Sequence, residues 1–548
     1  MSLWTGVGVS GGRASGPVAR VAEPLPEPAA GPAPHDPAAE SARVRPAADA
    51  VAEQLFRRAG KASGDAKAVL ETTAAMAFDP ALISRAEQLV TERPAPAARA
   101  VHDAAEEFAV QLRETGGYMA ERVRDVQDVR DRIIAELQGT QPPGVPELDR
   151  PSVLLARDLA PADTAGLDPE LVLALVTEEG GPTSHTAILA RSLGIPSVVS
   201  VRGMLADANP VGAIVDGDEG TVDLLDQAVT TRSPQQSGRA AEFRGPGATS
   251  DGHPVRVLAN VGSTTDAVNA VAAGAEGVGL FRTEFCYLAA EEEPSVATQR
   301  QAYAEVLAPF SGKPVVVRTL DAGADKPLSF VDHGDEPNPA LGVRGLRVTF
   351  GRSGLLDKQL ESIAAAEQDT AAQVSVMAPM VATAEEAAWF AERAAAAGIR
   401  RAGVMVEVPA AAFCAREILD TVDFASIGTN DLAQYLFAAD RQLGALAGLN
   451  DPWQPAMLRM LKLVGDAGGE LDKPVGVCGE AAADPLLAGV LVGLGASSLS
   501  MAGAAVPTVG RALAEYSAEQ CRRAADAAMA ASDPAAARTA ARAELGAA

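Results

Sequence analysis

From about residue 40 to 140 apolar residues recur every three to four positions, in segments 47–62, 66–76, 98–115 and 118–138, with acidic and basic residues between them. That period gathers the apolar side chains on one face of a helix and so predicts a helical subdomain. The pattern changes after Pro142 and Pro143. Short apolar runs at 152–156, 171–177, 197–201 and 213–215 alternate with helix-like stretches and Gly/Asp turns, as in a small α/β domain to which residues 1–20 can add strands. Residues 22–39, rich in Pro and Ala, read as a connector, and the polar stretch 230–250 reads as a hinge.

Beyond the hinge, eight β-rich apolar runs follow, at 255–261, 277–281, 314–319, 374–379, 403–407, 424–428, 474–478 and 497–501, with helical patterns between most of them. Eight strands alternating with helices predict a (β/α)8 TIM-type barrel, whose chemistry gathers at the carboxyl ends of the strands. A long insertion after the third strand is the main irregularity, and the Ala-rich end after about residue 510 reads as a barrel helix with a tail. The expected architecture is multidomain α/β. An α/β domain (1–21 and 142–229) carries an inserted helical subdomain (40–141), the hinge follows (230–250), and the barrel occupies 251–548.

If the barrel forms, its strand-end residues share one face. Arg282, Arg318, Glu407, the run Gly428-Thr429-Asn430-Asp431 and Cys478 all fall there. Paired arginines grip phosphate and carboxylate oxygens, while Glu407 and Asp431 offer hard oxygen ligands suited to Mg²⁺, so a magnesium-bound phosphorylated acid fits the set. Taken singly, each charge also reads as a salt-bridged rim residue, Asn430 and Asp431 equally suit a helix cap, and Cys478 reads as a small buried apolar residue.

Of five histidines, His35, His102, His185, His253 and His333, only His185 has an organised setting. Gly180 and Gly181 follow an apolar strand, Thr183 or Ser184 can cap, and the run to Leu193 reads as a helix. His185 then lies at a helix N-terminus, where free N–H groups favour a phosphoryl group on the ring and Arg191 is a further charge partner. The same setting equally accommodates an ordinary capping-region histidine. His333 reads as a turn residue.

Composition narrows the picture. No apolar run reaches the ~20 residues of a membrane span, and the start MSLWTGVGVSGGRASG lacks the order of a signal peptide, so a cytoplasmic protein is expected. Cys286, Cys414, Cys478 and Cys521 form no C-x-x-C pair, which disfavours a disulfide framework or zinc knuckle. A net charge of −26 argues against nucleic-acid partners and leaves a basic protein surface as a plausible one.

The segment GGPTSHTAILARSLGIPSVV resembles the phosphohistidine signature shared by Enzyme I of bacterial sugar phosphotransferase systems, pyruvate phosphate dikinase and phosphoenolpyruvate synthase. GVGLFRTEF, VVVRTLDAGADK, NPALGVRGLR, GVMVEVPAA, DFASIGTNDLAQY, AADR and VGVCGEAA are similar, in order, to that family's phosphoenolpyruvate-binding barrel. The resemblance covers essentially the whole chain. It implies a swivelling phosphohistidine α/β domain and makes His185 the phosphorylated nucleophile. Arg282, Arg318, Asn430, Asp431 and Arg441 become phosphoenolpyruvate ligands, with Arg344 a secondary candidate. Glu407 and Asp431 would hold Mg²⁺, and Cys478 would protonate the pyruvate enolate.

The stretch before His185 is largely helical and has no P-loop-type glycine loop, and YMAERVRDVQDVRDRI resembles the end of the helical subdomain with which Enzyme I binds the phosphocarrier protein HPr. Glu71, Met76 and Phe78 are the candidate carrier contacts. The resemblance further implies a homodimer joined through the barrel. A dikinase- or synthase-like phosphotransferase and a non-catalytic regulatory relative are the alternatives.

Overall fold

The computed structural model describes residues 2–22, 25–29, 31–60, 70, 73–93, 95–115, 123–140, 142–146, 148–159, 167, 171–181, 186–187, 190, 194–206, 210–217, 219–231, 243–288, 290, 292–324, 327–331, 334, 336–441 and 443–547. The chain divides into two compact units, Met1–Gln236 and Ser237–Ala548.

The first unit contains helices Val44–Ala59, Pro80–Glu92, Ala97–Thr115 and Val123–Gln138. Their buried faces, with Val51, Leu55, Ile83, Leu89, Val101, Val129 and Ile133 among them, form one apolar core. Helix Pro80–Glu92 is absent from the periodic segments picked out in the sequence, although its start is well signalled. Pro80 occupies the first turn, where its missing N–H costs nothing, and the Asp79 carboxylate accepts from the Ala81 and Leu82 amides at 2.8 and 3.3 Å.

The strands of this unit are β1 (Ser2–Thr5), β2 (Val7–Ser10), β3 (Arg13–Arg20), β4 (Ser152–Ala156), β5 (Val172–Thr177), β6 (Ser197–Val199), β7 (Gly212–Asp216) and β8 (Thr221–Leu225). They make one sheet in the order β1-β8-β7-β3-β4-β5-β6-β2. Because β1 and β2 are separated only by Gly6, one bent segment pairs with both edges and the sheet must roll up on itself. Glycine is needed at that bend, where a Cβ at Gly6 would lie 2.5 Å from the Val199 carbonyl oxygen, and at Gly217 after β7, where a Cβ would lie only 1.9 Å from that of Ser10.

The second unit is a closed parallel barrel of β9 (Arg256–Val261), β10 (Val278–Arg282), β11 (Pro314–Arg318), β12 (Gln373–Ala378), β13 (Ala402–Val406), β14 (Phe424–Ile427), β15 (Val475–Val477) and β16 (Ser498–Ala502), with β16 pairing back to β9. All eight runs read from the sequence are strands. One side chain in two faces the surrounding helices, as Val257, Val315, Val376, Val404, Ala425 and Val477 do, and these build the large outer core. Residues 243–250 belong to this unit: Phe243 lies against Gly510, and Gly247 N donates to Glu276 at 3.1 Å. The Ala-rich end is not a tail. Helices Ala518–Ala530 and Pro534–Leu545 bury Cys521, Ala524, Ala528, Ala537, Ala541 and Leu545 in the barrel's outer core. Among the described residues no helix is long and apolar enough to cross a membrane.

Candidate functional site

At the carboxyl ends of the barrel strands the expected residues converge, and several that the sequence reading passed over join them. Arg318 ends β11 in the interior and pairs with Glu284 and with Asp321, the latter at 3.2 Å. Burial alone would favour losing its proton, yet the carboxylates of Glu284, Asp321 and Glu407 hold it charged well above the ordinary guanidinium range. Arg344 is only 1% exposed. Its guanidinium spans two acids, reaching Asp321 through Nε and Nη2 at 3.1 and 3.2 Å and Asp431 through Nη1 and Nη2 at 3.4 and 3.2 Å. Arg344 is therefore a structural clamp between two strand ends, whatever else it touches. Nearby, Arg441 Nη1 lies 3.7 Å from Asp431, while Arg282 at the end of β10 is exposed.

Glu407 follows β13 and is buried, with Met380 N donating to its Oε1 at 2.8 Å. Burial, then the charges of Asp431 and Asp321, push its carboxyl up to about 8, against the opposing pull of Arg318. Gly428 provides its space, since a Cβ there would sit 2.7 Å from Oε2. Asn430 and Asp431 lie in the first turn of helix Thr429–Phe437. The capping alternative does not hold, because Gly428 is the cap residue. Asn430 instead accepts from Glu480 N at 3.2 Å, tying this turn to the loop after β15.

Cys478 follows β15 and is 2% exposed, above an inner apolar layer of Leu280, Met377, Met405 and Phe424. Burial pushes its thiol up to about 11, well beyond the ordinary cysteine value of ~8.5. Sγ donates to the Ile427 carbonyl at 3.5 Å. The thiol is thus a neutral, held proton source at physiological pH.

Three buried polar atoms in this cup, Arg318 Nε, Glu284 Oε2 and Thr429 Oγ1, have no hydrogen-bond partner among the described residues. Orphaned buried atoms are rare in folded proteins, and their clustering here is what a site awaiting a polar ligand would show. Glu284 and Asp321 could have been found from sequence. Each follows a strand-ending arginine by two or three residues, where the barrel geometry still directs side chains to the mouth.

His185 and Arg191 lie outside the described residues, as do Thr183, Ser184 and His333. Among the described residues on either side, β5 leads to Gly180, at φ +89°, whose carbonyl accepts from Ser200 Oγ at 2.6 Å, and Thr186 and Ala187 are helical. In the helical subdomain Glu71 is outside the described residues, Met76 is partly buried against the core, and Phe78 is exposed with its ring 6.2 Å from that of exposed Phe56.

Comparison with known proteins bears on all of this. Residues 237–518 match the family model of the PEP-binding domain of PEP-utilising enzymes, residues 5–122 that of their N-terminal domain, and residues 148–223 that of their mobile domain. A phosphoenolpyruvate-protein phosphotransferase of Streptomyces coelicolor is 51% identical, over 98% of both chains. One from Haloferax volcanii is 40% identical over 84% of both chains. A multiphosphoryl transfer protein of Xanthomonas campestris is 40% identical, over 86% of this chain and 58% of its own.

Proposed function

The chain belongs to the phosphoenolpyruvate-protein phosphotransferases, and from that membership we propose that it moves the phosphoryl group of phosphoenolpyruvate onto His185 and then onto the phosphocarrier protein HPr, releasing pyruvate as the first step of sugar uptake. The observation that carries this reading is the buried cup of guanidinium and carboxylate groups at the barrel mouth, with its three unpartnered polar atoms.

In this reading Arg282, Arg318 and Arg441 grip the phosphate and carboxylate oxygens of phosphoenolpyruvate, and Asn430 and Asp431 contact it. Asp321 and Asp431 pin Arg344, so the cup is formed before substrate arrives. Such preorganised charge is where most of the rate is gained, because it need not reorient as negative charge moves. The P–O bond breaks as a ring nitrogen of His185, most simply Nε2, takes the phosphoryl group in line. The enolate left behind takes the Sγ proton of Cys478 at carbon, giving pyruvate, and the thiolate recovers a proton from solvent. A thiol pushed up to about 11 is the protonated form this step needs.

The donor set fits Mg²⁺. Glu407 and Asp431 supply two buried carboxylates, and the upward shift of Glu407 comes first from burial and then from the negative charges of Asp431 and Asp321, a part that a cation would relieve. Among the described residues no three His, Cys, Asp or Glu side chains form a cage by themselves, so Mg²⁺ would complete its shell with substrate and water oxygens, as it commonly does. When bound, the ion would neutralise charge on the phosphoryl oxygens.

His185 must meet both the cup and HPr, so its domain swivels. Of the hinge expected at 230–250, residues 243–250 pack on the barrel and 232–242 lie outside the described residues. Exposed Phe56 and Phe78 offer an apolar docking spot for HPr on the helical subdomain, and the exposed Leu341, Val343, Phe413 and Leu443 support a homodimer through the barrel. The test is incubation of wild type and His185→Ala with phosphoenolpyruvate labelled in its phosphate, Mg²⁺ and HPr. Label reaching HPr only with wild type is expected; label reaching HPr with His185→Ala would overturn the assignment.

A further inference from the structure

We propose that the opposite, amino-terminal end of the barrel is a second binding site, which takes a small organic acid with two anionic ends and adjusts turnover at the cup. Barrels of this kind normally fill their interior with bulky side chains. Here a cavity of about 340 Å³ opens at the amino ends of the strands, lined in part by Gly279, Ser375, Gly476, Ser498 and Ser500. That volume is large enough for a small metabolite, within the ~300–1,000 Å³ usual for ligand pockets. The glycines keep the bore open: a Cβ at Gly279 would meet Ser500 at 2.5 Å, and one at Gly476 would meet Ser498 Oγ at 2.6 Å.

The lining states the ligand's chemistry. Arg256 opens β9 and Arg401 immediately precedes β13. In the closed strand order these strands are four apart, so the two guanidiniums stand on opposite sides of the rim. Both are exposed, and among the described residues neither forms an ion pair; Arg401 lies over the Phe424 ring, 5.9 Å from its centroid. Unpaired arginines flanking a polar bore, in a chain of net charge −26, call for an anion at each side. Ser375 on β12 and Ser498 on β16 also face each other across the barrel, and among the described residues their hydroxyls have no hydrogen-bond partner. They are free to hold the middle of a short ligand. A dicarboxylate and a phosphorylated carboxylate share this pattern.

The bore is joined to the cup. Ser500 Oγ donates to Asn260 Oδ1 at 2.6 Å, and Asn260 Nδ2 donates to the carbonyl oxygen of Cys478 at 3.0 Å. Ser426, which also lines the bore, immediately precedes Ile427, whose carbonyl accepts from the Cys478 thiol at 3.5 Å. A ligand that draws Ser500 or Ser426 toward itself shifts the peptide and the thiol of Cys478 from below.

The test titrates the full-length protein with succinate and, separately, with 3-phosphoglycerate by calorimetry, in wild type, Arg256→Gln/Arg401→Gln and Ser498→Leu, and measures turnover of phosphoenolpyruvate in each. Basal turnover should be equal in wild type and the rim variant. At least one of the two acids should bind wild type, and its affinity should fall about tenfold or more in the rim variant, a loss of ~1.4 kcal/mol. Filling the bore with leucine should abolish that binding. Saturation should change wild-type turnover by about twofold or more and leave the rim variant unchanged, within the usual range of coupling between sites. The inference is overturned if neither acid binds below about 10 mM, if binding or its effect on turnover is the same in the rim variant, or if binding leaves wild-type turnover unaltered.

Discussion

Replacing Cys478 by alanine isolates the proton-transfer step from the rest of the cup. The substitution removes one sulfur from a buried position and costs stability on the order of 1 kcal/mol, which leaves the barrel folded. If the thiol is the general acid, turnover should fall by about 10²–10⁴-fold, the usual worth of a positioned proton donor. The structure also fixes the pH dependence. With its thiol pushed up to about 11, Cys478 would be only ~0.1% thiolate at pH 8, whereas an ordinary thiol of pKa ~8.5 would be roughly a quarter ionised. Wild-type turnover should thus show no cysteine-dependent decline until about pH 10. The assay is pyruvate formation from phosphoenolpyruvate with HPr in excess, followed from pH 6.5 to about 10 in both proteins. A loss of less than about tenfold in Cys478→Ala, or a wild-type decline centred near pH 8.5, would refute the assignment of Cys478 as proton donor.

Further outcomes follow from the same groups. Glu407 has a folded value of about 8 against ~4.3 for an ordinary glutamate, so between these the folded state binds the extra proton. Its stabilising contribution is complete below about 4.3 and is lost as pH rises through 8, and thermal unfolding of the barrel should register this as a decline on the order of a few kcal/mol that Glu407→Gln abolishes. Arg344→Met leaves Asp321 with Arg318 and Asp431 with the more distant Arg441 as their remaining cations, and should destabilise the barrel by about 3 kcal/mol, with little rescue by Arg344→Lys, which lacks the planar fork; denaturant unfolding would decide, and an unshifted midpoint would count against the clamp. Gly217→Ala, with its Cβ forced to 1.9 Å from the Ser10 carbonyl, should open the rolled sheet to proteolysis and leave the barrel's unfolding unchanged.

The barrel was legible because its signal is redundant. Eight apolar runs at regular spacing admit few other closures, and each strand-end residue then falls on one face by topology alone. Helix Pro80–Glu92 is marked in the sequence by Asp79 and Pro80 at its start, a local cap signal that long apolar periodicity does not carry. The partners of the arginines were missed for a different reason. Glu284 and Asp321 sit in loops, where no period applies, and their short spacing from the strand-ending arginines points to the mouth but not to the pairing of both with Arg318. The upward push on the Cys478 thiol was not legible, because its burial depends on neighbours from several strands, which no local pattern discloses.

The charge balance of the cup yields a last prediction. Glu284, Asp321, Glu407 and Asp431 outnumber the inner guanidiniums of Arg318 and Arg344, while Arg282 and Arg441 stand further out. A polyanionic substrate entering alone is drawn in by the outer arginines but meets a surplus of negative charge inside. A divalent cation entering alone must displace the proton of Glu407 and finds only two carboxylates. Each therefore supplies what the other lacks, and by linkage each must strengthen the other's binding by the same factor, about 5–150-fold for couplings of ordinary size. Titrating His185→Ala with Mg²⁺ at increasing phosphoenolpyruvate, and the reverse, measures that factor without turnover. If the affinity for Mg²⁺ were the same with and without phosphoenolpyruvate, Glu407 and Asp431 would not share a site with the substrate, and the two carboxylates would have to be read as structural partners of Arg318 and Arg344 alone.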